Sequence, residues 1–126
     1  MREFKFRAWD TEKQEMATVN FIGLNDYEVG MEDEECRRWR ATYPYVCRLM
    51  QYVGCEDKNN KEIYEGDIVK TIVKTKEYIG QIIYSKGMFF IDVKGDFYLP
   101  IYNVSEFMEV IGNIYENPEL LESDKF

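Results

Sequence analysis

The chain has 126 residues, a mass of 15.1 kDa and a net charge of −8, from 24 acids against 16 bases. That length suits one domain, or one domain with a small lobe, and a content of 45% apolar and 16% aromatic residues is enough to bury a core, which excludes disorder and a disulfide-held miniprotein. Histidine is absent, cysteine occurs three times and no apolar run approaches the roughly 18 residues of a membrane span, so imidazole bases, the common zinc sites and a transmembrane helix are excluded.

The first element is a strand. In Arg2 to Asp10, Phe4, Phe6 and Ala8 alternate with Glu3, Lys5 and Arg7, the period-two pattern of a half-buried strand. Asp10 to Lys13 is polar enough to turn the chain, and Met16 to Ile22 is apolar and β-branched, so residues 1 to 22 are expected to form a hairpin. From Tyr27 to Arg40 acids precede bases: Glu32, Asp33, Glu34 and Glu35 come before Arg37, Arg38 and Arg40. That polarity suits a helix dipole, Glu34 and Arg38 make a favourable i,i+4 pair, and Met31, Glu35 and Trp39 share a helical face, so a short helix bracing the sheet is predicted here.

Strands dominate the rest of the chain. Tyr45 to Cys55 is apolar and aromatic, Asn59-Asn60 offers the left-handed conformations of a tight turn, and Glu62-Ile63-Tyr64 returns. Further strand patterns cover Ile68 to Thr75, Tyr78 to Tyr84, Met88 to Val93 and Phe107 to Tyr115, separated by turns at the spacing of a small barrel or sandwich. Pro100 restricts its segment to an edge or a loop, Gly112 fits a bulge, and Asn117-Pro118-Glu119 has the form of a helix start, with Leu120 and Leu121 on the closing turn. The expected fold is therefore mainly β, α+β at most: an N-terminal hairpin and short helix over residues 1–48, then an SH3-like antiparallel barrel over residues 49–126 with five or six strands and a C-terminal helical turn, the two parts forming one unit.

Charge and cysteines narrow the function. Asp96 to Phe126 contains seven acids and one base, Lys125, which places a net −6 in the last quarter. Such a chain repels the phosphate backbone, so nucleic acid is not the expected partner. Cys36, Cys47 and Cys55 form neither a CxxC pair nor a disulfide framework, and the first residues lack the apolar stretch of a signal peptide; the expected location is the cytoplasm, with reduced thiols.

No catalytic set emerges. Asp10, Asp57, Glu65 and Asp67 lie in turns, where carboxylates commonly cap backbone amides, and no spacing singles out two of them for glycosidic chemistry. The segment Glu56 to Glu62 has lysines where calcium would need oxygen, and neither GxGxxG nor GxxxxGK occurs. No metal, cofactor or catalytic residue is assigned. The candidate interaction surface is Arg7, Trp9 and Asp10, an aromatic flanked by both charges at a strand end, together with Tyr52, Tyr64 and Tyr115, whose hydroxyls need partners.

Four stretches also occur together and in order: Lys5-Phe6-Arg7-Ala8-Trp9-Asp10; Leu49-Met50-Gln51-Tyr52-Val53-Gly54; Asp57-Lys58-Asn59-Asn60-Lys61-Glu62-Ile63-Tyr64-Glu65-Gly66-Asp67-Ile68-Val69; and Glu109-Val110-Ile111-Gly112-Asn113-Ile114-Tyr115-Glu116-Asn117-Pro118-Glu119-Leu120-Leu121. With these the chain resembles the YopX family of phage and prophage proteins along its whole length. Asn60 stands where the family more often has glycine, and residues 23 to 46 match no family pattern. The resemblance implies an SH3-type C-terminal part, self-association and no established catalytic residues. The functional expectation is a non-enzymatic phage accessory protein that binds itself and a host or phage protein. A nucleic-acid-directed role, by single-strand binding or acidic mimicry of DNA, is the alternative, and a carboxylate-dependent hydrolase ranks third.

Overall fold

The computed structural model describes residues 4–94, 97–101 and 105–122; Asp96, Asp124 and Lys125 of the acidic segment lie outside them. The strands are β1 (Phe6–Asp10), β2 (Glu15–Ile22), β3 (Glu28–Glu32), β4 (Arg38–Thr42), β5 (Cys47–Glu56), β6 (Glu62–Tyr64), β7 (Asp67–Val73), β8 (Lys76–Ser85), β9 (Met88–Val93), β10 (Phe97–Pro100) and β11 (Met108–Asn113). A 3-10 turn at Ser105–Phe107 precedes β11, and one helical turn, α1 (Glu119–Glu122), follows it. The chain divides into two units, Met1–Tyr52 and Val53–Phe126.

In the first unit five antiparallel strands run in the order β4-β3-β2-β1-β5. The predicted hairpin is β1–β2, with Ala8 opposite Ala17 and Asp10 opposite Glu15. The predicted helix is instead the hairpin β3–β4, in which Met31 faces Trp39 and Val29 faces Ala41. Period two wins over the helical reading because these four residues alternate along both segments and their side chains enter one apolar cluster. The sequence of acids followed by bases, which suits a helix dipole, equally suits a chain that reverses. Arg38 Nε meets Glu32 at 3.1 Å and Arg40 meets Glu28 at 3.4 Å across the strands. Asp33 makes the turn, its Oδ1 accepting the N–H groups of Glu35 and Arg37 at 2.9 Å each. The Arg37 amide bond and guanidinium hold the Asp33 carboxyl below the usual range against its partial desolvation.

The sheet must roll, because β4 and β5 end opposite sides of the strand order yet are joined by only four residues, Tyr43 to Val46. Val46 N–H donates to the Thr42 carbonyl at 2.8 Å and Cys47 Sγ reaches the Ala41 carbonyl at 3.8 Å. A tightly rolled sheet has little room inside, and Ala8, Ala17 and Ala41 supply small side chains beside Val29, Met31 and Cys47.

The second unit contains the antiparallel sheet β10-β9-β8-β7-β11, and β6 pairs beside the end of β5. Its core joins Ile63 of β6 with Val69, Ile82, Ile91, Val93, Ile101, Met108 and Val110, and Val53 and Cys55 of β5 pack against the same cluster. The β5–β6 hairpin thus covers one face of the five-stranded sheet. Seven strands, β5 to β11, occupy the region where five or six were expected. Among the described residues neither sheet closes into a barrel: β4 and β6 stand at opposite ends of one strand order, β10 and β11 of the other. Closure fails at β10, which is four residues long and ends on Pro100, a residue with no N–H to donate to a further strand. The expected edge position of Pro100 is the observed one.

The turn chemistry follows the sequence closely. Asn60 takes the left-handed conformation at φ 64°, and the bulge in β11 falls between Val110 and Gly112. A Cβ on Gly112 would sit 2.6 Å from Asn117 Oδ1, so this crossing requires glycine. Asn117 Oδ1 accepts the Asn113 N–H at 3.2 Å, and its carbonyl accepts Leu120 N–H at 3.1 Å to open α1. Leu120 and Leu121 are half-buried, and Lys94 Nζ donates to the Leu121 carbonyl at 3.3 Å.

The buried Asp57 ties the unit together. Its Oδ1 accepts from Asn59 and Lys61 N–H at 2.8 and 2.9 Å, and its Oδ2 accepts from Val110 N–H at 2.9 Å, 53 residues away. Burial by itself would raise its pKa; the three amide bonds and the Lys61 charge outweigh that and hold it low. With the folded pKa below the unfolded value of about 3.9, this stabilisation is complete above that pH and is lost as pH falls through the folded pKa. The substitution Asp57→Asn is expected to cost about 2 kcal/mol at pH 7. Urea unfolding across pH 2 to 7 checks this, and the variant should show the smaller loss of stability at the acid end.

Candidate functional site

The six residues predicted from the sequence fall in both units. On β1 and β5, Arg7 and Trp9 share one face with Tyr52, by strand alternation and the register Arg7–Met50, with Tyr52 N–H bonded to the Lys5 carbonyl at 2.8 Å. Trp9 and Tyr52 are buried, at 6% and 8% exposure, and Lys5 Nζ lies 5.2 Å from the Tyr52 ring centroid. Arg7 is half-buried. Asp10 projects from the opposite face. In the second unit Tyr64 OH donates to Glu62 Oε1 at 3.3 Å, its N–H donates to the buried Asp67 at 2.8 Å, and Tyr115 N–H donates to Asn113 Oδ1 at 3.0 Å.

Asp10, 2% exposed, performs a structural task. Its Oδ1 accepts Glu12 and Lys13 N–H at 2.9 and 2.8 Å, while Oδ2 accepts Trp39 Nε1–H at 2.8 Å from three strands away. Lys13 Nζ then lies 4.7 Å from the Trp39 ring centroid, so the indole sits between a carboxylate and an ammonium. Burial, with the Asp10 charge adding to it, pushes the Cys47 thiol up, away from the reactive thiolate. Cys36 is the exposed cysteine.

Trp39 also borders two grooves, which sequence reasoning misses because it treats this segment as helix. One, of about 520 Å³, is lined by Asn20, Phe21, Gly30, Glu32, Arg38, Trp39 and Arg40. The other, of about 380 Å³, is lined by Lys13, Glu15, Asp33, Arg37, Arg38 and Trp39. Gly30 permits the first: a Cβ there would sit 2.3 Å from the Phe21 ring, which lies over the strand with the Arg40 guanidinium 5.0 Å from its centroid. The signal available in the sequence is the alternation of Arg38, Trp39, Arg40 and Ala41.

A second surface lies on the five-stranded sheet, on the face away from the core. Register places Ile83 beside Phe90 and Phe90 beside Pro100, with Met88 and Tyr98 adjoining, and the Phe90 and Tyr98 rings meet edge to face at 6.4 Å. Tyr98 is 63% exposed and Met88 42%. Among the described residues no three Cys, Asp or Glu side chains gather as a metal site, and no helix is long and apolar enough to cross a membrane.

These features define a small, two-unit, mainly β protein whose buried carboxylates hold turns and whose surface carries charged grooves beside Trp39 and an apolar strip on the five-stranded sheet. The YopX protein family model matches residues 5–122, and the chain belongs to that family. Among solved structures it is similar to protein EF1440 from Enterococcus faecalis, with 27% identity, 96% of this chain and 99% of that chain covered, and a TM-score of 0.65. It is similar also to protein yopX from Bacillus subtilis, with 25% identity, coverage of 92% and 96%, and a TM-score of 0.65. No curated protein matches the chain.

Two outcomes test the site. Trp39→Phe removes the indole donor and is expected to lower stability by about 2 kcal/mol, with Asp10→Asn coupled to it rather than additive in a double-mutant cycle read by urea unfolding. A thiol reagent at neutral pH should modify Cys36 first and reach Cys47 only on unfolding, as peptide mapping would record.

Proposed function

We propose that the protein acts without catalysis, by binding other proteins and further copies of itself. The observation carrying this reading is the apolar strip Ile83, Met88, Phe90, Tyr98 and Pro100 on the outer face of the five-stranded sheet. Met88 and Tyr98 stand exposed with Ile83, Phe90 and Pro100 half-buried beside them, and an apolar patch of this kind on a sheet face marks a contact surface. Tyrosine, methionine and phenylalanine are also the residues enriched where proteins meet.

The turn carboxylates support the absence of catalysis. Asp10, Asp57 and Asp67 are buried and accept backbone N–H groups, and Asp57, held ionised, is no proton donor near neutral pH. The family supplies no activity to set against this. A protein of net charge −8 also suits a protein partner better than a phosphate backbone.

Sedimentation velocity between micromolar and hundred-micromolar protein is the test. Association should increase with concentration, and Phe90→Glu, placed on the outer face, should leave the far-ultraviolet circular dichroism unchanged while holding the protein monomeric. A monomer at every concentration, with no difference between the two proteins, would remove the self-association part of the reading.

A further inference from the structure

A separate feature of the first unit bears on what kind of partner it takes. Strand β4 ends the strand order, and among the described residues no strand pairs with its outer side. In an antiparallel pair the residues that exchange backbone bonds alternate with residues whose N–H and C=O point the other way. Tyr43 N–H donates to the Tyr27 carbonyl at 2.7 Å and Asp33 N–H to the Arg37 carbonyl at 3.0 Å, so Arg37, Trp39, Ala41 and Tyr43 bond toward β3. Arg38 and Arg40 therefore direct their N–H and C=O groups outward. Both side chains are solvent-facing, 73% and 64% exposed.

We infer that the outer edge of β4 is a strand-addition site for an extended segment carrying acidic side chains at alternating positions. An exposed edge of alternating donors and acceptors matches a peptide backbone. Charge decides which peptide. Arg38 and Arg40 each use one guanidinium N–H on a β3 glutamate, and the fork carries further donors for a carboxylate on the open side. A Glu-x-Glu pattern would set its carboxylates beside the two arginines, next to the groove that Phe21 and Gly30 form. The intervening residue would fall on the other face, beside the Trp39 ring.

The same charges exclude the simplest competitor. Antiparallel pairing of β4 with β4 of a second copy sets Arg38 against Arg40, or one of them against itself, and like charges directly opposite are destabilising. The arginines that prevent this edge from joining its own kind thus select an acidic partner. This site is independent of the apolar strip on the second unit.

The probe is a capped peptide, acetyl-Thr-Glu-Val-Glu-Val-Thr-amide, with a lysine-for-glutamate version as control. Titration followed by amide exchange in nuclear magnetic resonance should show the Arg38 and Arg40 N–H groups slowing about tenfold or more at saturation, with weaker binding of the lysine peptide. Arg38→Glu with Arg40→Glu should reverse that preference, and Phe90→Glu should leave it unchanged, which separates this result from the self-association reading. Equal binding of the two peptides by the native protein, exchange effects confined to other strands, or Arg38 and Arg40 amides already protected in proportion to protein concentration would each overturn the proposal. Comparing the two peptides on the native chain keeps the test intact if the double variant fails to fold.

Discussion

A buried carboxylate that closes its own turn with one oxygen and holds a distant strand with the other is the interaction on which each unit depends. Asp10 does this in the first unit, bonding Glu12 and Lys13 amides and the Trp39 indole. Asp57 does it in the second, bonding Asn59 and Lys61 amides and Val110 N–H on β11. Local turn formation and long-range closure become one event, because the carboxylate cannot be buried without all its donors. With neither a disulfide nor an evident metal site among the described residues, such bonds give a small β protein its register.

The first unit shows how this constraint sets shape. Four residues between β4 and β5 demand a rolled sheet, alanines make the roll narrow enough, and the Asp10–Trp39 bond spans it. Rolling also creates the surface: Trp39 is drawn toward Asp10 on one face, Arg38 and Arg40 are left on the other, and β4 remains an edge. The second unit solves its burial differently, with the β5–β6 hairpin laid over one face of an open five-stranded sheet and the other face left partly apolar.

Much of the fold was legible in residue order. The β1–β2 hairpin, the Asn59-Asn60 turn, the Gly112 bulge, the edge position of Pro100 and the Asn117-Pro118 helix start are all written in local chemistry, since two-residue alternation and turn residues act over a few positions. The β3–β4 hairpin was not. Acids followed by bases satisfy a helix dipole and a cross-strand ladder equally, and only burial of Val29, Met31 and Ala41 against β1 and β2 decides between them. The site was legible in part. Asp10 and Trp9 stand in the sequence as part of a candidate interaction surface, and both are buried on opposite faces of β1, because alternation by itself does not tell a covered strand end from one at a rim.

What the sequence by itself determined is the class: mainly β, acidic, without histidine chemistry, and kin to the YopX family through motifs that form its turns. Tertiary structure alone decided which carboxylates are inside, that neither sheet closes, and that Phe21 and the arginines of β4 share one face while Trp39 turns to the other. The physical reason is range. Turns and alternation are properties of neighbouring residues, whereas a groove or a free edge exists only after strands separated by tens of residues have been brought side by side.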